Sequence, residues 1–283
     1  YGGFIKMISN IYKKYRFLIA RRITQIFIMV LYVIANVYGI NFLMGNLSSS
    51  LVLNAIPLSD PYAVMQMLFA GAVLSFDILL GAFFITIFYM IVGGRAFCSW
   101  VCPVNIITDL ANYLRRKLGF NQIQKKQPAS RNMRYWVIAI SFVISFFMGI
   151  AAFELISPIS MVHRGIIFGL GFGWAAIVII FLFDLFVLKN GWCGHICPLG
   201  GFYSLVGKFS LIRVHHNAPN CTACMKCKEV CPENQVLHMV TKTSIPVLSG
   251  ECTNCGRCVE VCDDDALNFS IKNLKKGEQN EVR

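Results

Sequence analysis

Four stretches of the chain stay apolar for about 20 residues each: 23–43, 72–92, 135–153 and 166–188. That is the length a helix needs to cross the hydrocarbon core. None of the four keeps the polar face that a core helix of a soluble protein turns to water. The pattern therefore predicts four transmembrane helices, with 65–70 extending the second span outward. Shorter apolar helices, 106–118 and 201–211, follow the second and fourth spans and are expected to lie along the membrane interface. Beyond residue 213 the long apolar runs stop, and a small domain of a different kind follows.

Composition agrees with this reading. Hydrophobic residues make up 56% of the 283 residues and charged ones 14%, where a soluble domain carries about 25% charged residues. Mean hydropathy is +0.60. The net charge of +12 is unevenly placed: 18 Lys/Arg against 5 Asp/Glu in residues 1–213, and 8 against 9 in 214–283. The basic excess belongs to the oily part, which argues against nucleic acid as a partner and for membrane topology. Basic residues cluster before the first span (Lys13, Lys14, Arg16, Arg21, Arg22), between the second and third (including Arg95, Arg115, Arg116, Lys125, Lys126, Arg131 and Arg134), and after the fourth (Lys189, Lys208, Arg213). The loops 44–71 and 154–165 contain only Arg164. The positive-inside rule then places both termini in the cytoplasm. The expected organisation is a cytoplasmic N-terminal segment (1–22), a four-helix membrane domain (23–213) and a cytoplasmic C-terminal domain (214–283). The first apolar stretch is too long for a signal-peptide core and lacks a small-residue cleavage site. Met7 is a candidate start, with 1–6 an upstream extension.

Two motifs repeat. FCSWVCPVN occupies 97–105 and WCGHICPLG occupies 192–200, each a Cys-x3-Cys-Pro where a span ends. The chain thus reads as two halves, each of two spans, an aromatic residue, the motif and an interfacial helix. Proline after the second cysteine suits the first turn of that helix. Pseudo-twofold packing of the halves would bring Cys98, Cys102, Cys193 and Cys197 to one axis at the cytoplasmic edge. Sulfurs at i and i+4 share a helix face, so a joint third iron–sulfur site is one reading. Two redox-active dithiols are another, and buried small hydrophobes a third.

The tail is more specific. CTACMKCKEVCP begins at Cys221 and CTNCGRCVEVCD at Cys252. Each has the Cys-x2-Cys-x2-Cys-x3-Cys spacing of bacterial two-cluster ferredoxins, in which the fourth cysteine ligates the other cluster. Cys221, Cys224, Cys227 and Cys262 are expected to hold one [4Fe–4S] cluster, and Cys252, Cys255, Cys258 and Cys231 the second. Structural zinc has a different spacing, and disulfides are disfavoured in a reducing compartment. Cys262 is followed by Asp263 rather than proline. Asp263, Asp264 and Asp265 add negative charge beside the first cluster, which lowers its potential. A domain this small depends on its clusters as much as on its core. His215 and His216 are read as solvated linker residues. The expected fold class is an α-helical membrane protein: four transmembrane helices as two repeated halves, followed by a small α+β two-[4Fe–4S] ferredoxin domain.

RRITQ (21–25), DPYAVMQ (60–66), GGRAFCSWVCPVN, GWCGHICPLGGFY and the paired C-terminal motifs occur in one order along almost the whole chain. In these the sequence resembles the NapH family, membrane-bound ferredoxin-type quinol dehydrogenase subunits of periplasmic nitrate reductase systems. The resemblance implies an oxidoreductase subunit in the bacterial inner membrane that oxidises menaquinol. Its electrons would pass to a NapG-type iron–sulfur partner, with a membrane multihaem cytochrome as a further partner, towards the periplasmic nitrate reductase. The chain is less similar to CcoG-type oxidase maturation proteins, which share the motifs. Electron supply for maturing a metalloenzyme is therefore the alternative. A quinol site must also move protons. The candidates on the outer side are Glu154, His163 and Arg164, with Asp77 taken as one turn inside the second span, where an ionisable group is costly. Imidazole, with a pKa near neutrality, suits proton transfer. Asp60 and Asp184 draw attention for the same reasons, and His195 could protonate or hydrogen-bond a sulfur of the second motif. No phosphate loop, Rossmann fingerprint, nucleophile elbow or zinc-protease motif occurs.

Overall fold

The first apolar stretch folds as α1 (Gly2–Tyr38), kinked at Tyr15, where φ is −123° and ψ 22°. The structure, a computed structural model, describes residues 2–39, 43–53, 56–119, 130–169, 171 and 173–271; Lys125 and Lys126 lie outside them. The 24 residues Tyr15–Tyr38 are long and apolar enough to cross a membrane. They rise about 36 Å against a hydrocarbon core of about 30 Å. An antiparallel sheet follows, ordered β1 (Leu43–Gly45), β2 (Ser49–Val52), β3 (Ile56–Ser59). Residues 65–70 do not extend the second span. They belong to a separate helix, α2 (Pro61–Phe69), which starts at Asp60, whose carboxylate accepts from the Tyr62 N–H at 3.4 Å.

The other spans are shorter than their apolar runs. Helices α3 (Phe76–Val92), α4 (Ala96–Trp100) and α5 (Val104–Lys117) come next. After them stand α6 (Met133–Met148), α7 (Ala152–Ile156), α8 (Pro158–Phe168) and α9 (Gly173–Leu182), the last running into a π-helical turn, Phe183–Val187. Phe76–Val92, Met133–Met148 and Gly173–Val187 are apolar helices of 10–17 residues. Among the described residues one helix has the length and composition of a crossing, and the other three apolar runs form shorter apolar helices. The cause is local. The third apolar run stops helically at Gly149 (φ 66°) and the fourth is split at Gly169 (φ 103°), in a region of backbone space open to glycine, and hydropathy does not register such breaks. The helices nonetheless turn apolar side chains outward, among them Phe84, Trp136, Phe147 and Ile179.

The second motif forms a π-helical turn, Trp192–Ile196, leading into α10 (Pro198–Val206). The chain then enters the C-terminal domain through β4 (Ile212–His216), which pairs antiparallel with β5 (Leu267–Ile271). Between these strands, α11 (Lys226–Val230) and α12 (Arg257–Glu260) each follow a cysteine loop. His216 is not a solvated linker residue. It ends a strand, is fully buried, and its Nδ1 lies 2.8 Å from the Thr243 carbonyl. A strand residue facing a core of Val214, Leu237 and Val247 has no route to water.

Charge holds the C-terminal domain against the helices. Glu233, 2% exposed, pairs with Arg95 at 2.6 Å, with Arg131, and with Arg134 at 3.8 Å. Arg134 also pairs with Glu251. On the other flank Asp109 of α5 binds Arg22 and Arg257, with Arg21 at 3.8 Å. The kink in α1 leaves N–H groups at the start of its second segment, and Glu260 accepts those of Phe17 and Leu18 at 2.5 and 2.9 Å. Phe17 meets Phe269 edge-on at 5.4 Å. At Gly207 and Gly250 the two backbones approach too closely for a Cβ, which would stand 2.6 Å from the Gly250 carbonyl oxygen.

Burial acts to raise the Asp109 carboxyl, but Arg257, Arg22 and Arg21 outweigh it and hold the pKa below its usual value. A depressed carboxyl contributes stability that is complete above its unfolded pKa, about 3.9, and is lost as pH falls through the folded value. Asp109→Asn should therefore lower the melting temperature at pH 7, and the gap from the unsubstituted protein should close below about pH 4. A gap independent of pH would mean that Asp109 acts by packing alone. Glu233→Gln leaves Arg95 buried without its counter-charge, and breaking a buried pair costs about 3–5 kcal/mol. Calorimetry should then resolve an earlier transition for the C-terminal domain, and an unchanged thermogram would contradict the pairing.

Candidate metal centre

The twelve cysteines are free thiols, and they gather in three sets of four. Burial pushes the Cys227 thiol up, the Lys228 N–H offsets part of this, and the neighbouring Cys262, Cys224 and Cys221 push it further. Burial holds Cys231 well above the usual thiol range, with Cys255 and Cys252 as its next influences. Cys258 is raised in the same way by burial and by Cys255, Cys252 and Cys231. These neighbourhoods follow the crossed pairing expected from the spacing. The set with Cys221 and Cys224 reaches solvent, Cys224 being exposed, whereas Cys231, Cys255 and Cys258 are buried.

The third set comes from the repeated motifs. Cys98 sits in α4, Cys102 just beyond it, Cys193 in the π-helical turn, and Cys197 at the start of α10. Cys102 is raised by burial and then by Cys98 and Cys197. Cys193 is raised by burial and then by Cys102, Asp184, Cys197 and Cys98. Burial followed by Cys98 pushes Cys197 up to about 12. The two halves thus bring their four cysteines together. Cys102 and Cys197 lie in one core cluster with Tyr62, Tyr89, Phe97 and Tyr203. Phe97 stacks on Tyr203 at 5.2 Å, and the Tyr203 hydroxyl donates to Asp60 at 3.3 Å.

The buried set of the C-terminal domain rests on both motifs. Ser99 Oγ donates to the Thr253 carbonyl at 2.7 Å, and Trp100 Nε1 to the Asn254 carbonyl at 3.1 Å. Asn190, just before the second motif, donates to the Pro232 carbonyl at 3.2 Å, beside Cys231. Arg95 joins all three parts: it donates to the Cys193 carbonyl at 2.9 Å, to the Glu251 carbonyl at 3.1 Å and to Glu233. Cys98, Cys193 and Cys255 line one small cavity.

Among the described residues no three His, Cys, Asp or Glu side chains converge on a single-ion site. A cubane is several ångströms across and carries its thiolates at its corners, so neighbouring rather than converging sulfurs suit it. At Cys102, Cys193, Cys197, Cys231, Cys252 and Cys258 burial raises the thiol more than any nearby cation lowers it, and metal binding requires thiolates. A cationic iron–sulfur core supplies that missing compensation, and an all-cysteine donor set is the one such clusters take.

Glu154 accepts from Ser48 Oγ and Ser160 Oγ, each at 2.6 Å. His163 is buried against the edge of Tyr32 at 4.7 Å, with neither ring nitrogen hydrogen-bonded. Arg164 is exposed. Asp77 is not one turn inside a span: it is exposed in the first turn of α3, where a carboxylate complements the helix dipole. Asp184 is buried in the π-helical turn and accepts from the Trp192 N–H at 3.0 Å, while Arg115 donates to the carbonyls of Asp184 and Leu185. His195 is buried beside its motif. Sequence reasoning missed the structural roles of Arg95, Arg21 and Asp109. The aromatic residues flanking each motif were the signal for the shared core.

A 4Fe-4S binding domain matches twice, over 74–121 and 170–215, and a 4Fe-4S dicluster domain matches 213–263. The chain is 45% identical to the methylamine utilization ferredoxin-type protein MauN of Methylorubrum extorquens, over 82% of this chain and 80% of the relative. It is 42% identical to the ferredoxin-type protein NapH of Haemophilus influenzae, over 78% and 77%. With NapH of Escherichia coli the figures are 40% identity over 80% and 78%. No solved structure matches. The twice-matched domain is the internal repeat and the dicluster match is the tail, in the order that these relatives share over about four-fifths of their length: the chain belongs to the NapH family of ferredoxin-type electron-transfer proteins.

Proposed function

We propose that the chain is the membrane electron-transfer subunit of a quinol dehydrogenase. It oxidises menaquinol and passes electrons to a NapG-type iron–sulfur partner and on towards a periplasmic nitrate reductase. One observation carries this reading: the cysteine set of Cys231, Cys252, Cys255 and Cys258 is seated directly on both Cys-x3-Cys-Pro motifs, so the membrane part and the carrier domain share one sulfur-rich junction. Clusters bound by the two ferredoxin sets, and by Cys98, Cys102, Cys193 and Cys197, would accept and donate single electrons. The protein's own part is positional. Arg95 locks the two motifs and the C-terminal domain in one arrangement, and the aromatic core around Cys102 and Cys197 excludes water. Four membrane crossings, both termini in the cytoplasm and an inner-membrane location complete the reading. The apolar exterior and the placement of Lys and Arg support them.

A second reading has its own support. Two relatives at 45% and 41% identity are MauN proteins of methylamine utilization, so the electrons could serve a metalloenzyme other than a nitrate reductase, including its maturation.

If the motif cysteines act as one unit, Cys98→Ser and Cys193→Ser should each abolish reduction of the chain by a menaquinol analogue to a similar extent. The double variant should be little worse, as expected for groups that function together. Iron content should fall in each single variant while the eight ferredoxin cysteines keep theirs. Additive losses at constant iron would favour two dithiols, and full activity in either variant would reduce the motifs to packing.

A further inference from the structure

A cavity of about 510 Å³ lies where α1 enters the molecule, between that helix, α5 and α12. This volume is in the range of small-molecule sites. Its lining combines apolar side chains, among them Leu18, Leu110 and Val261, with four arginines that include Arg21 and Arg257 and with the carboxylates of Asp109 and Glu260. Leu110 and Tyr113 are 52% and 55% exposed on α5, so the apolar side opens along the face of an interfacial helix. Arg21 is the unusual member. It is wholly buried, none of its three guanidinium nitrogens has a hydrogen-bond partner, and its nearest anion is Asp109 at 3.8 Å. A buried, unsatisfied donor of this kind costs several kcal/mol unless something pairs with it. Arg21 and Arg257 also line the small cavity that contains Cys98, Cys193 and Cys255. The two cavities therefore share a wall of guanidinium groups.

We infer that this cavity binds the quinol head group, with its isoprenoid tail leaving along α5. The inference rests on the quinol dehydrogenase reading above and places its substrate on the cytoplasmic flank rather than near His163 and Glu154. A hydroquinone hydroxyl both accepts and donates, so it can take a hydrogen bond from Arg21 and give one to Asp109. A carboxylate bound to Arg22 and Arg257 retains acceptor capacity for this. A lipid phosphate could also meet these guanidinium groups, but it accepts only and gives no hydrogen bond to Asp109. A head group held here is separated by the Arg21 and Arg257 side chains from the cavity where Cys98 and Cys193 meet Cys255.

The test uses the full chain in detergent and a hydroxyquinoline N-oxide, a quinol analogue whose fluorescence is quenched on binding. Ile106→Trp and Leu110→Trp enlarge side chains that are 37% and 52% exposed, so they fill the cavity without entering the core. Each should weaken binding of the analogue at least tenfold while iron content and cluster spectra stay unchanged. Undiminished binding in both variants overturns the location and leaves the quinol reading standing, as does a tenfold loss in Glu154→Gln with none in the tryptophan variants. Phospholipid extracted with the unsubstituted chain but not with the variants, while the analogue still binds, makes the cavity a lipid site. Failure of the unsubstituted chain to bind the analogue, together with clusters that menaquinol does not reduce, removes the quinol reading itself.

Discussion

Four arginines, Arg21, Arg95, Arg115 and Arg134, are the largest side chains withdrawn entirely from solvent. A guanidinium cannot lose its proton to escape that burial, so each calls for acceptors, and Arg21 is the one of the four without a hydrogen bond. The architecture is the set of ways in which they are met. Arg95 and Arg134 draw in Glu233 and Glu251 from the dicluster domain, Arg115 takes the carbonyls freed at the end of α9, and Arg21 lies beside Asp109. Removing an acceptor leaves a buried cation uncompensated, and most of these contacts cross from one part of the molecule to another. Charge therefore fixes the relative position of two regions whose own cores are separate.

The same arrangement explains why the cysteine sites lie where they do. Thiols tolerate an apolar interior better than carboxylates or imidazoles, and the four motif cysteines are packed among tyrosine and phenylalanine rings. The arginines border this region through backbone carbonyls and glutamates rather than by touching sulfur: Arg95 reaches Cys193 through its carbonyl oxygen. A positive rim around a neutral, water-poor interior leaves the sulfurs available for a metal core. It also favours negative charge arriving at the junction.

What could be read from the sequence follows from the range of the interactions involved. The ferredoxin spacing was legible because three of each four cysteines come from one loop, and a dicluster domain matches that stretch, where the thiols of each four are neighbours. The internal repeat was legible for a similar reason, and the matched domain recurs in both halves. The helix ends were not, because an apolar run continues through Gly149 and Gly169 while the backbone does not. His216 was misread because a two-stranded ladder closed by residues 267–271 leaves no local sign at residue 216. Arg95 and Glu233 stand 138 residues apart. The basic loops could be read as topology signals, but nothing near residue 95 indicates that the same charge anchors a distant domain.

The glycine contact between Gly207 and Gly250 has a kinetic consequence. Carrier domains on flexible tethers deliver electrons by swinging, and their turnover depends on tether length and diffusion. Here the chain passes from α10 to β4 through a single short turn, with the two backbones touching across it. There is no slack for a swing. With clusters bound at these sets, an electron passing between the buried junction and the solvent-facing set around Cys224 would cross a fixed gap. A redox partner would then exchange electrons by docking at that outer face rather than by meeting a swinging domain.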